Sequence, residues 1–131
     1  MATDYCSYLR SHLTEKLSKL GLTEEGCYQF GQDWQGHGAM FAGSVIYFRG
    51  HGRIVAVPYS VGDGASCFVG AAEATLSTYR EWPSLWDLVG MTADLDDNDI
   101  ESLDAYLGQF PEGPDAMLAF VAEKLGQLFP R

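Results

Sequence analysis

Two runs of β-branched and aromatic residues around a short glycine turn most constrain the fold of this chain. The first run covers residues 44–49 (Ser-Val-Ile-Tyr-Phe-Arg), and the second covers residues 53–59 (Arg-Ile-Val-Ala-Val-Pro-Tyr). Gly50-His51-Gly52 lies between them and is typical of a tight β-turn. Pro58 has no N–H group, so we expect it at a sheet edge or at the end of its strand. The sequence therefore predicts a β-hairpin over about residues 44–59.

Shorter segments on both sides of this hairpin are predicted to add strands to the same sheet. Residues 27–31 (Cys-Tyr-Gln-Phe-Gly) and 67–69 (Cys-Phe-Val) are apolar and lie close to glycine-containing turns. Residues 71–80 are ambiguous, because their alanines favour a helix while their threonines are also compatible with a strand.

Helices are predicted at both ends of the chain. Residues 3–20 have apolar side chains three or four residues apart, with Thr3 as a plausible N-cap and Gly21 as the C-terminal glycine. Pro114 begins a last helix with an apolar stripe, and Pro130 ends it. Between them, Pro83 predicts a short helix that ends at Gly90. The capping-box spacing of Asn98 and Glu101 predicts another helix, which ends at Gly108.

The order helix, strands, helices predicts one α+β domain that covers residues 1–131. We expect an N-terminal helix, a small central antiparallel sheet with the hairpin, and C-terminal helices packed on one face of the sheet. A chain of 131 residues has the size of a single domain and buries a core without needing a metal or a disulfide.

The three cysteines, Cys6, Cys27 and Cys67, are widely spaced and form no Cys-x-x-Cys pair. This spacing excludes the common zinc and thioredoxin-like motifs, and we expect packed free thiols in a reducing compartment. The first residues lack the basic and apolar regions of a signal peptide, so the predicted location is the cytoplasm. No apolar stretch approaches the length that spans a bilayer, so no membrane association is expected.

The net charge of −10 is concentrated in one part of the chain. Residues 87–115 contain nine acidic residues and no Lys or Arg. A chain with this balance would repel nucleic-acid phosphates, so we expect no direct nucleic-acid binding. The segment is either a solvated acidic face or a docking surface for a basic protein partner. We predict that its central acids form the partner-binding site: Asp94, Asp96, Asp97, Asp99, Glu101 and Asp104.

We also assign the three tryptophans of the chain to this predicted partner-binding site. Trp82 and Trp86 are four residues apart just before the acidic segment, a spacing that places two side chains on one face of a helix. Core packing is the alternative interpretation of this pair. Trp34 lies in a polar, glycine-rich loop, where a large aromatic side chain suggests contact with a partner.

The sequence predicts no catalytic residues, no metal site and no cofactor. Asp94, Asp96 and Asn98 match the start of an EF-hand loop, but Asp99 and Ala105 occupy positions that require Gly and Glu. His37 and His51 each lie between two glycines and are interpreted as turn residues. Phosphate-binding and nucleophile-elbow motifs are also missing from the sequence.

These observations favour an immunity-type inhibitor that neutralises a basic toxin or nuclease by covering its active groove. An inhibitor of a nucleic-acid-handling complex is physically similar. One alternative is a dimeric secretion chaperone that binds an effector segment through apolar grooves. The other is a small enzyme whose site includes Trp34 and His37. The oligomeric state is not predicted.

Overall fold

The computed structural model describes residues 5–30, 43–60, 64–91 and 108–129. These form an α+β fold, as predicted, in which an N-terminal helix is followed along the chain by a small antiparallel sheet and then by C-terminal helices. The helices are α1 (Cys6–Ser18), α2 (Leu85–Leu88) and α3 (Pro114–Leu128), and a 3₁₀-helix covers Leu76–Glu81. The strands are β1 (Thr23–Phe30), β2 (Gly43–Gly50), β3 (Arg53–Ser60), β4 (Gly64–Ala65) and β5 (Phe68–Ala71).

The predicted hairpin is confirmed as β2 and β3. Their register pairs Ser44 with Tyr59 and Gly50 with Arg53, which leaves a two-residue turn. Both turn residues have positive φ, 55° at His51 and 71° at Gly52, as a type I′ hairpin turn requires. The hairpin forms the centre of the sheet, because β1 pairs with β2 while β4 and β5 pair with β3.

Pro58 is not at a sheet edge, so that part of the prediction is wrong. It faces Val45 on β2, and on its other side its carbonyl oxygen accepts a hydrogen bond of 3.1 Å from the Ser66 amide. The N–H and C=O groups of a strand residue point to the same side. The side of Pro58 that lacks an N–H group therefore faces the gap between β4 and β5. At this position neither strand is paired with β3, so no ladder hydrogen bond is lost.

One face of the sheet packs against α1 and α3, as predicted, and forms the first core. The central residues of the apolar stripe of α1 are fully buried there, and so are those of α3, while Met117 and Leu128 are partly buried against them. Alternate residues of β2 and β3 complete this core. Its fully buried members include Leu9, Leu13, Leu17, Ile46, Phe48, Val55, Val57, Leu118, Val121 and Leu125.

The opposite face of the sheet is also covered, by the segment that was ambiguous in the sequence. Its second half lies in the 3₁₀-helix. Tyr79 of this helix and Trp82, which follows it, pack on Val45, Tyr47 and Ile54 to form the second core. Both central strands are therefore buried on two faces, which explains their nearly continuous apolar character.

Helix α2 starts later than its proline suggests. Leu85, rather than Pro83, is its first residue, and Ser84 caps it, since the Ser84 hydroxyl accepts a hydrogen bond of 3.2 Å from the Trp86 amide. Gly90 follows the helix with a φ of 77°, as expected for a glycine that ends a helix. Pro114 begins α3 as predicted. The helix predicted from Asn98 lies outside the described residues.

The expectation of three free thiols is wrong for two of them. Cys6 at the start of α1 and Cys27 in β1 form a disulfide bond. Cys67 is a free thiol, fully buried in the first core, and this burial raises its pKa above the usual range. The disulfide joins the N-terminal helix covalently to the β1 edge of the sheet.

Candidate functional site

Most of the predicted partner-binding residues lie outside the described part of the chain. This holds for all six central acids and for the two loop residues of the alternative enzyme site. They are Asp94, Asp96, Asp97, Asp99, Glu101, Asp104, Trp34 and His37.

The described residues on either side of positions 92–107 meet on the helical side of the sheet. The Gln109 side-chain amide donates a hydrogen bond of 3.4 Å to the Met91 carbonyl oxygen. Next to it, the ring of Trp86 packs edge-on against Phe110, with centroids 5.2 Å apart, and against Phe120 at 5.7 Å. The described residues before and after positions 92–107 therefore lie together at one place, which we call the anchor.

Trp82 and Trp86 do not share a face. Trp86 belongs to the first core, whereas Trp82 precedes α2 and belongs to the second core on the other side of the sheet. Each is only 8% exposed. These positions agree with the core-packing interpretation of the pair, and Trp86 holds the anchor together from inside the fold.

The described residues carry little net charge, with nine acidic and seven basic side chains among them. Several of these charges pair locally. The carboxylates of Glu24, Glu25 and Glu15 lie 2.9, 3.2 and 3.8 Å from the nearest nitrogens of Arg10, Arg49 and Lys19. The acidic excess of the protein is therefore concentrated elsewhere, and six of the acids lie between positions 92 and 107.

Asp115, at the C-terminal end of the acidic segment, is engaged within the fold. The Tyr8 hydroxyl donates a hydrogen bond of 2.5 Å to its carboxylate, and the His12 ring nitrogen lies 3.5 Å from the same oxygen. Burial and the hydrogen bond to Asp115 raise the pKa of Tyr8 above its usual value. A phenol in this state is not a general base near neutral pH. We therefore interpret the cluster as a structural polar contact that joins α1 to α3.

A cavity with an aromatic wall lies on the face of the second core, where the sequence predicted no site. Phe30, Phe68 and Tyr79 contribute to its lining, and the Arg80 side chain lies over two of these rings. The sequence gives no signal for this arrangement beyond its high aromatic content, because the three rings come from different elements.

Within the described ranges, no three His, Cys, Asp or Glu side chains are grouped so that they could hold a metal ion. Nor does this part of the chain contain a helix long and apolar enough to cross a membrane. Comparison with known proteins finds no family model that matches the chain, no similar curated protein and no similar solved structure.

Proposed function

We propose that this protein is an acidic inhibitor of the immunity type, which neutralises a basic toxin or nuclease by covering its active groove. The observation that carries the proposal is the run of nine acidic residues without a single Lys or Arg over residues 87–115. The near neutrality of the described fold supports it, because the charge is then a local property rather than a general one.

The proposed mechanism is competition for cations. A groove that binds nucleic acid is lined by Lys and Arg, which contact phosphates and release counterions. The acids at positions 94–104 would pair with those cations, and long-range attraction would speed the encounter. The anchor supports this role, since it brings together the described residues on either side of positions 92–107, which contain these acids. Trp86 would act by holding the anchor, not by touching the partner.

The test compares two variants with the same change in charge. In the first, Asp94, Asp96, Asp97 and Asp99 become Asn. In the second, four exposed acids outside the segment become Gln: Glu15, Glu73, Glu81 and Glu123. Each tagged variant is used to capture proteins from native lysate, and bound proteins are identified at about 50 mM and about 500 mM salt, because screening weakens exposed charge pairs.

We expect a basic partner to bind the wild type and the Gln control at low salt, and to be lost at high salt or with the Asn variant. Purified partner is then assayed for its own activity with each variant. Equal inhibition by the Asn variant and the control would contradict the proposal. A partner that stays bound at high salt would instead favour the chaperone alternative, whose apolar binding resists salt.

The compartment is also part of the proposal. The cysteine argument for the cytoplasm no longer holds, because the Cys6–Cys27 disulfide is typical of oxidising environments. The cytoplasmic location therefore stays a prediction. Alkylation during direct lysis of native cells into denaturant tests it, since buried thiols are then accessible to the reagent. Modification of all three cysteines would support a reducing compartment, while modification of Cys67 alone would support an oxidising one.

A further inference from the structure

A cavity of about 320 Å³ lies on the face of the sheet that carries the second core. Its lining includes Phe30 at the end of β1, Pro58 in β3, Phe68 at the start of β5 and Tyr79 in the 3₁₀-helix. Phe68 and Tyr79 contact each other with centroids 5.8 Å apart. The volume is near the lower end of the range for small-molecule sites, and its wall is mainly apolar, as in such sites.

Arg80 is the only charged residue among the described residues that line this cavity. Its guanidinium carbon lies 5.7 Å from the ring centroid of Phe30 and 5.6 Å from that of Tyr79. Its Nε–H group donates a hydrogen bond of 3.2 Å to the Tyr79 hydroxyl. Two cation–π contacts and one hydrogen bond together hold the guanidinium against the aromatic wall of the cavity.

The remaining donors of Arg80 have no acceptor within the described residues. Arg10 and Arg49 each form an ion pair with a glutamate, but no described carboxylate lies within ion-pair distance of Arg80. An arginine has five N–H donors in a planar fork, and that fork matches the two oxygens of a carboxylate. In a chain with a net charge of −10, no described acid neutralises this cation, which lies against two rings of the cavity wall.

We propose that the cavity binds a small aromatic carboxylate. The carboxylate accepts hydrogen bonds from the Arg80 guanidinium, and the ring of the ligand packs against Phe30 and Phe68. Aromatic pairs of this kind add binding energy beyond the area they bury. The site uses no residue of the acidic segment, so it does not depend on the proposed inhibitor function.

The test uses 3-phenylpropionate and its neutral amide, 3-phenylpropionamide, as probes of the full-length protein. Affinity is measured by titration calorimetry, and backbone amide chemical shifts locate the site. We expect the carboxylate to bind at least about tenfold more tightly than the amide, because hydrogen bonds to a charged group are the stronger ones. The shifts are expected to centre on Ser66, Phe68 and Tyr79.

Two variants complete the test. Arg80→Gln should abolish the difference between carboxylate and amide. Arg53→Gln removes the same charge at the end of β3 that lies away from the cavity. This variant should leave the difference between carboxylate and amide unchanged. Equal affinities in the wild type, shifts that map elsewhere, or no binding up to about 5 mM would each overturn the proposal. Tighter binding of phenyl phosphate would overturn its carboxylate part and assign a phosphate head group to Arg80.

Discussion

His51 stacks on Phe129, with ring centroids 5.1 Å apart and an angle of 17° between the ring planes. The same imidazole places its Nε2 atom 2.6 Å from the carbonyl oxygen of Leu20. The turn of the central hairpin is therefore tied to the ends of both long helices. A histidine that the sequence presents only as a turn residue holds three elements together.

One variant separates the contribution of the His51–Phe129 contact to stability from the contribution of the turn. His51→Asn keeps a residue that tolerates the positive φ of a type I′ turn, but it removes the stack on Phe129. We expect the free energy of unfolding to fall by about 1–2 kcal/mol, from the lost ring contact and hydrogen bond. Urea unfolding measures this change, and an unchanged midpoint would show that the stack adds nothing.

The disulfide is expected to stabilise the fold substantially. Cys6 and Cys27 are 21 residues apart, and closing a loop of this size contributes about 2–4 kcal/mol, mainly by restricting the unfolded chain. The double variant Cys6→Ser, Cys27→Ser should lose this amount in urea unfolding. Dithiothreitol should lower the stability of the wild type similarly and leave the double variant unchanged. An insensitive wild type would argue against the bond.

Two glycine-to-alanine changes should have opposite effects. A Cβ atom at Gly70 would lie 2.6 Å from the Trp82 ring, so Gly70→Ala should cost about 1–3 kcal/mol through overpacking of the second core. At Gly126 in α3 the nearest heavy atom, on Leu20, would be 3.7 Å away. Gly126→Ala should therefore stabilise by about 0.5–1 kcal/mol, because alanine favours the helix. Thermal unfolding of both variants checks the two signs.

The free energy of unfolding should fall as the pH rises from about 10 to about 12, because the pKa of Tyr47 is raised in the fold. Burial, followed by the neighbouring phenols of Tyr79 and Tyr28, raises the pKa of Tyr47 to about 12. The unfolded chain releases this proton near pH 10, so between about pH 10 and pH 12 it binds fewer protons than the folded chain. The stabilising effect of the neutral phenol is complete below this window and is lost as the pH rises through it.

Tyr47→Phe is the matched variant for this effect. Above about pH 10, the urea midpoint of this variant should fall less steeply with pH than that of the wild type. The substitution should also lower stability near pH 8 by about 1 kcal/mol, since the Leu76 carbonyl loses its 2.9 Å hydrogen bond from the Tyr47 hydroxyl. An unaltered alkaline slope would mean that Tyr47 does not contribute to the decline.

The hairpin and the terminal helices could be predicted from sequence because their signals are local. Apolar spacing and a glycine turn act within a few residues, and β2, β3, α1 and α3 all appear close to the expected positions. The disulfide depends instead on how α1 lies against β1. Nothing in a separation of 21 residues shows that Cys6 and Cys27 meet.

The candidate sites also depend on contacts between distant elements, which local sequence patterns do not predict. Trp82 and Trp86 have helical spacing, but the chain is extended at Trp82 and Ser84, so the two rings point to opposite sides of the sheet. The Arg80 cavity combines residues of β1, β3, β5 and the 3₁₀-helix, whose neighbourhood is set by strand order. The charge concentration of residues 87–115, in contrast, could be read directly because it is a property of composition.

The hydrogen bond between Met91 and Gln109 has a consequence for how the molecule can change. It brings together two described positions that are 18 residues apart in the chain. The entropic cost of closing a chain between two such ends rises only slowly with the number of residues between them. Chain closure by itself therefore places only a weak constraint on the number of residues between Met91 and Gln109, so this distance along the chain can vary with little entropic penalty.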